Sequence, residues 1–360
     1  MNRLASILVL VSLWLPAFIF GQADDLRREI DKIIKYDTGL NYKKTPGFIV
    51  SVIDNDQTHH YSFGSKYADN TSILSSSDIF EIGSVSKVFT ATAIHILINK
   101  GLINMTDKVN QHLPANFQNP RLEALTIADL IYHRSSLPKR PTYFGMKEKD
   151  SSNPYSHYKK SDLLQFYRDF IPRKRSFEYS HTNYAILELI IEKLTNKSYE
   201  DVVHDEIFTP LLMDGSFVDF PEKKENIITP GYDRSGKSTQ AWTFSSFKAS
   251  EGIKSNPADL VKFVNAFLNG QSAAYIIPKS NDAESFNKRL GINMGWQTIH
   301  MSDFDILTHT GKTTGHTAFI GMVRETKTAV IIMANSGEGT EDLGLQILRM
   351  INYNWKRVKV

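Results

Sequence analysis

With 360 residues, 41% of them hydrophobic and 22% charged, the chain can bury the core of one large or two medium domains and is too apolar to be disordered. A formal net charge of +3 is too small to mark a nucleic-acid binder, and no basic stripe is interleaved with aromatic residues. The absence of cysteine excludes disulfides and thiolate metal sites.

The chain opens on "MNRLASILVLVSLWLPAFIFGQADD", one arginine followed by a mostly apolar run, a late proline and Gly21-Gln22. This pattern predicts a signal peptide over 1–21, cut near Gly21; Pro16 and the small Gly21 favour cleavage over a permanent anchor. The mature protein is therefore expected to be exported, periplasmic or secreted, with no stable membrane anchor. Residues 24–37 place Leu26, Ile30, Ile33 and Ile34 at helical spacing, and "PGFIVSVIDNDQTHHYSFGSKY" reads as a hairpin. A helix over 84–100, apolar nearly all round and stopped at Gly101, must be buried, so its N-terminus emerges from a core. Further helices are expected at 126–133, 160–170, 182–195, 199–208 and 257–269, strands at 292–300, 304–310, 316–324 and 327–334, and a last amphipathic helix at 341–354. Strands at both ends with helices between them give an α/β domain from 22–79 and 241–360 and a mostly helical domain over 80–240, with the site in the cleft between them.

Within "FEIGSVSKVFTATA", Ser84 and Lys87 lie one helical turn apart at the start of that buried helix. Ser84 is either a nucleophile beside the positive helix end, with a neutral buried lysine as its base, or a helix cap. Spacing alone does not decide, because Ser-x-x-Lys also begins at Ser136, Ser156, Ser245 and Ser285. Tyr179 precedes an apolar helix and is either a general base sharing a proton with Lys87 or a packing tyrosine. In "FDILTHTGKTTGHTAFIG", Gly311 would let a substrate lie along the strand carrying His309 and Thr310, and the N–H of Lys312 is a candidate oxyanion donor. Gly-Lys-Thr there is not a phosphate loop, since Ile306 stands where a glycine is needed. Neither a Gly-x-Ser-x-Gly elbow nor a His-Glu-x-x-His zinc helix occurs, and no metal or cofactor is expected.

These motifs come in one order, joined by "PGFIVSVIDND", "DIFEIGSVSKVFTATAIHILINKGLINMTDKV", "LTIADLIYHRSSLP", "FEYSHTNYAILELIIEKLT", "EGIKSNPADLVKFVNAFL", "MGWQ" and "HTGKTTGHTAFIG". Over nearly the whole mature chain the sequence resembles the serine β-lactamase and penicillin-binding family, in its class C-like branch of β-lactamases, D-Ala-D-Ala peptidases and esterases. The resemblance implies a β-lactamase/transpeptidase-like fold of class α/β (α+β), an antiparallel sheet flanked by helices with a mostly helical insertion. It implies Ser84 as the acylated nucleophile, Lys87 as its proton acceptor, Tyr179 as the Tyr-x-Asn tyrosine, and His309-Thr310-Gly311 as the third motif. The N–H groups of Ser84 and Lys312 would form the oxyanion hole, with His181, His309, Thr310 and Gly311 binding substrate. The sequence departs from the pattern at His181, where asparagine is usual, at His309, often lysine, and at Ser136 and Glu251, usually glycines.

The expected function is hydrolysis of β-lactams or D-Ala-D-Ala-type amides through a Ser84 acyl-enzyme. A small-molecule or peptidoglycan-like substrate and a monomer are expected. One alternative is a carboxylesterase on small esters, which need no carboxylate anchor at His309. The other is a receptor for penicillin or peptidoglycan fragments with little turnover, His181 marking the lost step.

Overall fold

The computed structural model describes residues 17–36, 44–54, 57–142, 144, 152–173, 177–221, 227–277, 284–285 and 289–358. Most of the predicted signal segment, up to residue 16, lies outside them. Residues 1–39 and 40–360 separate as two units. The first contains helix α1 (Ala17–Tyr36), which carries the Leu26/Ile30/Ile33/Ile34 stripe read from the sequence.

In the second unit, β1 (Gly47–Asp54) and β2 (Gln57–Gly64) form the predicted hairpin, with Gly47 opposite Gly64. A two-residue strand β3 (Phe80–Glu81) then leads into a 3-10 turn, Gly83–Val85, and helix α2 (Ser86–Asn99). Helix α3 (Ile127–Ile131) is started by Thr126, whose hydroxyl accepts from the N–H of Asp129 while the Asp129 carboxylate accepts from the N–H of Thr126. Helices α4 (Lys160–Asp169), α5 (His181–Thr195) and α6 (Tyr199–Val203) follow, α6 running on into a π turn at His204–Phe208. A small ribbon, β4 (Gly231–Tyr232) and β5 (Ser238–Thr239), precedes the four-residue helix α7 (Lys248–Glu251) and β6 (Lys254–Ser255), which pairs with β3. Helix α8 (Pro257–Asn269) begins on an Asn256 cap with proline at its first position.

The last strands are β7 (Glu284–Ser285), β8 (Leu290–Asn293), β9 (Trp296–His300), β10 (Asp305–Lys312), β11 (Thr317–Val323) and β12 (Thr328–Ala334), and α9 (Glu341–Val358) ends the described chain. The single strand expected at 292–300 is a hairpin, because Met294 and Gly295 turn with φ 51° and 78°. All these strands join β1 and β2 in one antiparallel sheet, ordered β2-β1-β12-β11-β10-β9-β8-β7.

Both faces of the central strands are buried, as the unbroken apolar run of β12 requires. Ala318, Ile320 and Met322 of β11 enter the main core with α2 and α8. Phe319 points the other way, onto α9, where a Cβ on Gly344 would lie 2.3 Å from its ring.

Candidate active site

The start of α2 and the end of β10 touch through their backbones. A Cβ on Gly311 would sit 1.8 Å from the carbonyl oxygen of Ile82 and 3.0 Å from the nitrogen of Ser84. One on Gly83, held at φ 48°, would sit 2.6 Å from the nitrogen of Lys312. Glycine at 311 therefore also admits the chain's own 82–84 backbone. The contact brings the backbone leading into Ser84 against the backbone around Lys312.

Glu81 fixes this junction from below. Its carboxylate accepts from the N–H of Trp242 (2.6 Å) and from the Thr313 hydroxyl (2.8 Å), and it meets His316 Nδ1 at 3.1 Å. Burial would raise its pKa, but the bonds to His316 and the charges of His316 and Lys254 hold it below the usual value. The β10–β11 turn is thus tied to β3 by a buried carboxylate.

Above the junction, three side chains converge on one oxygen, Oε1 of Glu251. Lys87, 0% exposed, sends Nζ to Ser84 Oγ (3.0 Å), to the carbonyl of Ser250 (2.9 Å) and to Glu251 Oε1 (3.0 Å). Ser84 Oγ in turn donates to Glu251 Oε1 at 2.6 Å. His181 Nδ1 also contacts Glu251 Oε1 and lies 3.2 Å from Lys87 Nζ. Glu251 is 3% exposed and His181 6%. Burial lowers Lys87, and the Glu251 carboxylate works against that. Burial lowers His181 to about 4 with the help of the Lys87 charge, so the imidazole is neutral at physiological pH.

Helix α7 brings Glu251 here because its neighbours hold it. The Thr90 hydroxyl on α2 donates to the Ala249 carbonyl at 2.6 Å, and the Glu188 carboxylate on α5 accepts from the Ala249 N–H at 3.0 Å. His181 arrives as the first residue of α5, capped by Ser180, whose hydroxyl accepts from the N–H of Asn183.

Tyr179 stands beside this cluster, with Lys87 Nζ 5.2 Å from its ring centre. Its ring lies 4.6 Å from that of His133, and His133 Nδ1 accepts the N–H of Ser180 at 2.9 Å. Burial and the Glu251 charge push the phenol up, while a hydrogen bond to Ser84 opposes them. The phenol is therefore neutral.

A cavity of about 420 Å³ opens over these groups, lined among others by Ser84, Tyr179, His181, Glu251, Thr310, Gly311 and Lys312. The sequence-predicted Ser84, Lys87, Tyr179, His181, Thr310, Gly311 and Lys312 thus gather in one place. His309 stands apart. It is 1% exposed and does not line the cavity; its Nδ1 lies 2.8 Å from the Thr310 carbonyl, and burial with the Lys87 charge lowers it to about 3. Sequence reading noted Glu251 only as a missing glycine, yet it touches three of the converging side chains. Among the described residues no group of three His, Cys, Asp or Glu is placed to hold a metal ion, and no helix is long and apolar enough to cross a membrane.

A family model described as Beta-lactamase matches residues 30–352. The chain belongs to the beta-lactamase family. Its sheet and helices are the beta-lactamase/transpeptidase-like fold, and membership supports a serine hydrolase of that family. Relatives include a beta-lactamase of Pseudomonas fluorescens, 24% identical over 69% of this chain and 66% of its own length. A penicillin-binding protein of Bacillus subtilis (strain 168) is 32% identical over 46% of this chain and 36% of its own length. An unguisins hydrolase of Aspergillus campestris (strain IBT 28561) is 23% identical over 87% of this chain and 62% of its own length. The chain thus spans less than two thirds of the length of these relatives.

Proposed function

We propose that this beta-lactamase family member is an exported hydrolase that opens β-lactams or D-Ala-D-Ala-type amides through an acyl group on Ser84. The observation that carries the reading is Ser84 Oγ held at 3.0 Å from Lys87 Nζ, with the 82–84 backbone packed against that of Gly311 and Lys312. Attack of Oγ on a carbonyl leaves negative charge on the carbonyl oxygen, which the N–H groups of Ser84 and Lys312 would receive. Losing one such donor typically costs on the order of 100- to 1000-fold in rate. Water then releases the acyl group from Oγ.

A carboxylate-bearing substrate fits this cavity better than a neutral ester. His309 supplies no carboxylate anchor, since that imidazole is buried and neutral. Lys139, Arg140 and Lys312 line the cavity instead. Lys312 is lowered by burial and by the nearby Arg234 charge, a crowding of cations that a bound anion relieves. Of the two cavity carboxylates, Glu251 is engaged with Lys87 and His181.

The purified chain and its Ser84→Ala and Arg140→Gln variants are assayed with a chromogenic cephalosporin, a D-Ala-D-Ala peptide and p-nitrophenyl acetate. The reading predicts hydrolysis of the first or second, lost in Ser84→Ala, with KM raised by Arg140→Gln for these but not for the acetate. Turnover of the acetate alone would make the protein a carboxylesterase. A lasting adduct without turnover would make it a receptor.

A further inference from the structure

We propose that Glu251, not Lys87, accepts the Ser84 proton, and that Lys87 serves as the fixed ammonium that stabilises the resulting oxygen charge. The inference rests on Ser84 being the acylated residue.

Hydrogens decide between the two bases. An ammonium has three N–H bonds, and Lys87 Nζ has three oxygen acceptors: Ser84 Oγ (3.0 Å), the Ser250 carbonyl (2.9 Å) and Glu251 Oε1 (3.0 Å). Ser84 has one hydrogen, and its oxygen lies 2.6 Å from Glu251 Oε1. Were Lys87 a neutral amine accepting that hydrogen, the 2.6 Å contact would join two bare acceptors unless the carboxyl were protonated. Burial favours a protonated Glu251, but the Lys87 charge and the hydrogen bonds from His181 and Ser84 outweigh it and hold the group well below the usual carboxylate range. With the Lys87 hydrogens engaged, the Nδ1–H of neutral His181 goes to Glu251 as well. Glu251 Oε1 is then an anionic oxygen receiving Ser84, Lys87 and His181, and the Ser84 proton already points at it.

In acylation the Ser84 O–H bond breaks, the proton passes to Glu251 Oε1, and the Oγ electron pair forms the bond to the carbonyl carbon. The carbonyl π pair moves to its oxygen. On collapse the leaving group departs with its bonding pair and takes the proton from Glu251, restoring the carboxylate. In deacylation a water proton follows the same route to Glu251, the hydroxyl bonds to the acyl carbon, and Ser84 Oγ leaves and recovers the proton. A carboxylate held this low is a weak base, so each transfer must be concerted with bond formation.

The titratable and charged groups facing Glu251 are Lys87 on α2, His181 on α5, Tyr179 before it, Tyr155 in the preceding loop and His309 on β10; Arg140 acts through Lys87 and His181. Above the His181 value of about 4 neither of the two histidines in this set nor Glu251 changes charge. A Glu251 base therefore gives an acylation rate that is level from about pH 5 to about pH 8, whereas a neutral Lys87 base gives one that falls about tenfold per unit of acidification.

The test follows modification of the full chain by a fluorophosphonate with intact-mass detection, over that pH span, for the parent, Glu251→Gln, Glu251→Asp and Ser84→Ala. The expected result is a level parent profile and a loss of about 100-fold or more in Glu251→Gln, the usual worth of a general base, with part of the rate restored in Glu251→Asp. Two results would overturn the proposal: Glu251→Gln reacting as fast as the parent, or a parent rate that falls steadily with pH. Should Glu251→Gln lose its fold by circular dichroism, the parent profile decides alone. Modification of Ser84→Ala at the parent rate, or no modification of the parent, refutes the Ser84 nucleophile itself.

Discussion

Single residues in this site do work that their type alone does not reveal. Ser136 sits at φ 66° in the left-handed region, where a residue with a Cβ is strained. The resemblance places glycine there, and the strain is the physical reason. Ser136→Gly removes it at the cost of one hydrogen bond, Ser136 Oγ to the Arg173 carbonyl at 3.3 Å. The variant is expected to gain about 1 kcal/mol, seen as a higher thermal midpoint; an unchanged or lower midpoint would show that the hydroxyl bond outweighs the strain. Glu251 was illegible for a different reason. Its local sequence, "KASEGIKS", carries no pattern that singles it out, and its partner Ser84 is 167 positions away. Its sequence signal was only that a carboxylate stood where a glycine is usual, beside a second departure at His181. The two departures are in contact, so they are one substitution in space rather than two losses.

At the scale of elements, the decisive contact is between the 82–84 backbone and β10. Gly311→Ala would drive a methyl group into the Ile82 carbonyl, 1.8 Å away, with no flexible side chain to yield. The expected cost is about 3 kcal/mol, the upper end of ordinary overpacking, together with a loss of turnover larger than the loss of stability explains. Chemical denaturation and kcat measured on the same preparation check this; full activity in a folded variant would mean that the junction does not set the oxyanion hole. The long helices and sheet strands were readable because their patterns are strong: the apolar runs of α2 and β1 and the Asn256-Pro257 start of α8 each announce themselves. Short pieces were not. β3, β6 and α7 are two to four residues long and owe their form to tertiary contacts, such as the Thr90 and Glu188 bonds to Ala249. The β8–β9 turn escaped notice because a methionine, not asparagine or aspartate, precedes its glycine.

Across the whole molecule, buried titratable groups set the response to acid. His95 and His181 are each lowered to about 4 and His309 to about 3, in every case first by burial. Each titrates at its ordinary 6.5 when unfolded. The unfolded chain therefore binds more protons below that value, and the stability these groups confer at neutral pH is lost progressively from 6.5 down through 4. Glu188 acts oppositely: burial raises it to about 7, so its contribution is complete below its ordinary 4.5 and lost as the pH rises through 7. Three histidines against one carboxyl predict a thermal midpoint that falls from pH 7 to pH 4. A midpoint that rises on acidification would contradict these burials. The fold as a whole was legible because seven matching stretches run in order from residue 46 to residue 321, whereas burial of His309 was not, since strand alternation fixes a face only once the register is known.

The central claim is that Ser84 carries an acyl group, and intact mass tests it most directly. The chain and its Ser84→Ala variant are mixed with a chromogenic cephalosporin, quenched in acid within seconds and weighed, with peptide mapping of any adduct. The account predicts one added acyl mass, on the peptide holding Ser84, absent from the variant. An adduct on another residue, or the same adduct in Ser84→Ala, would contradict it.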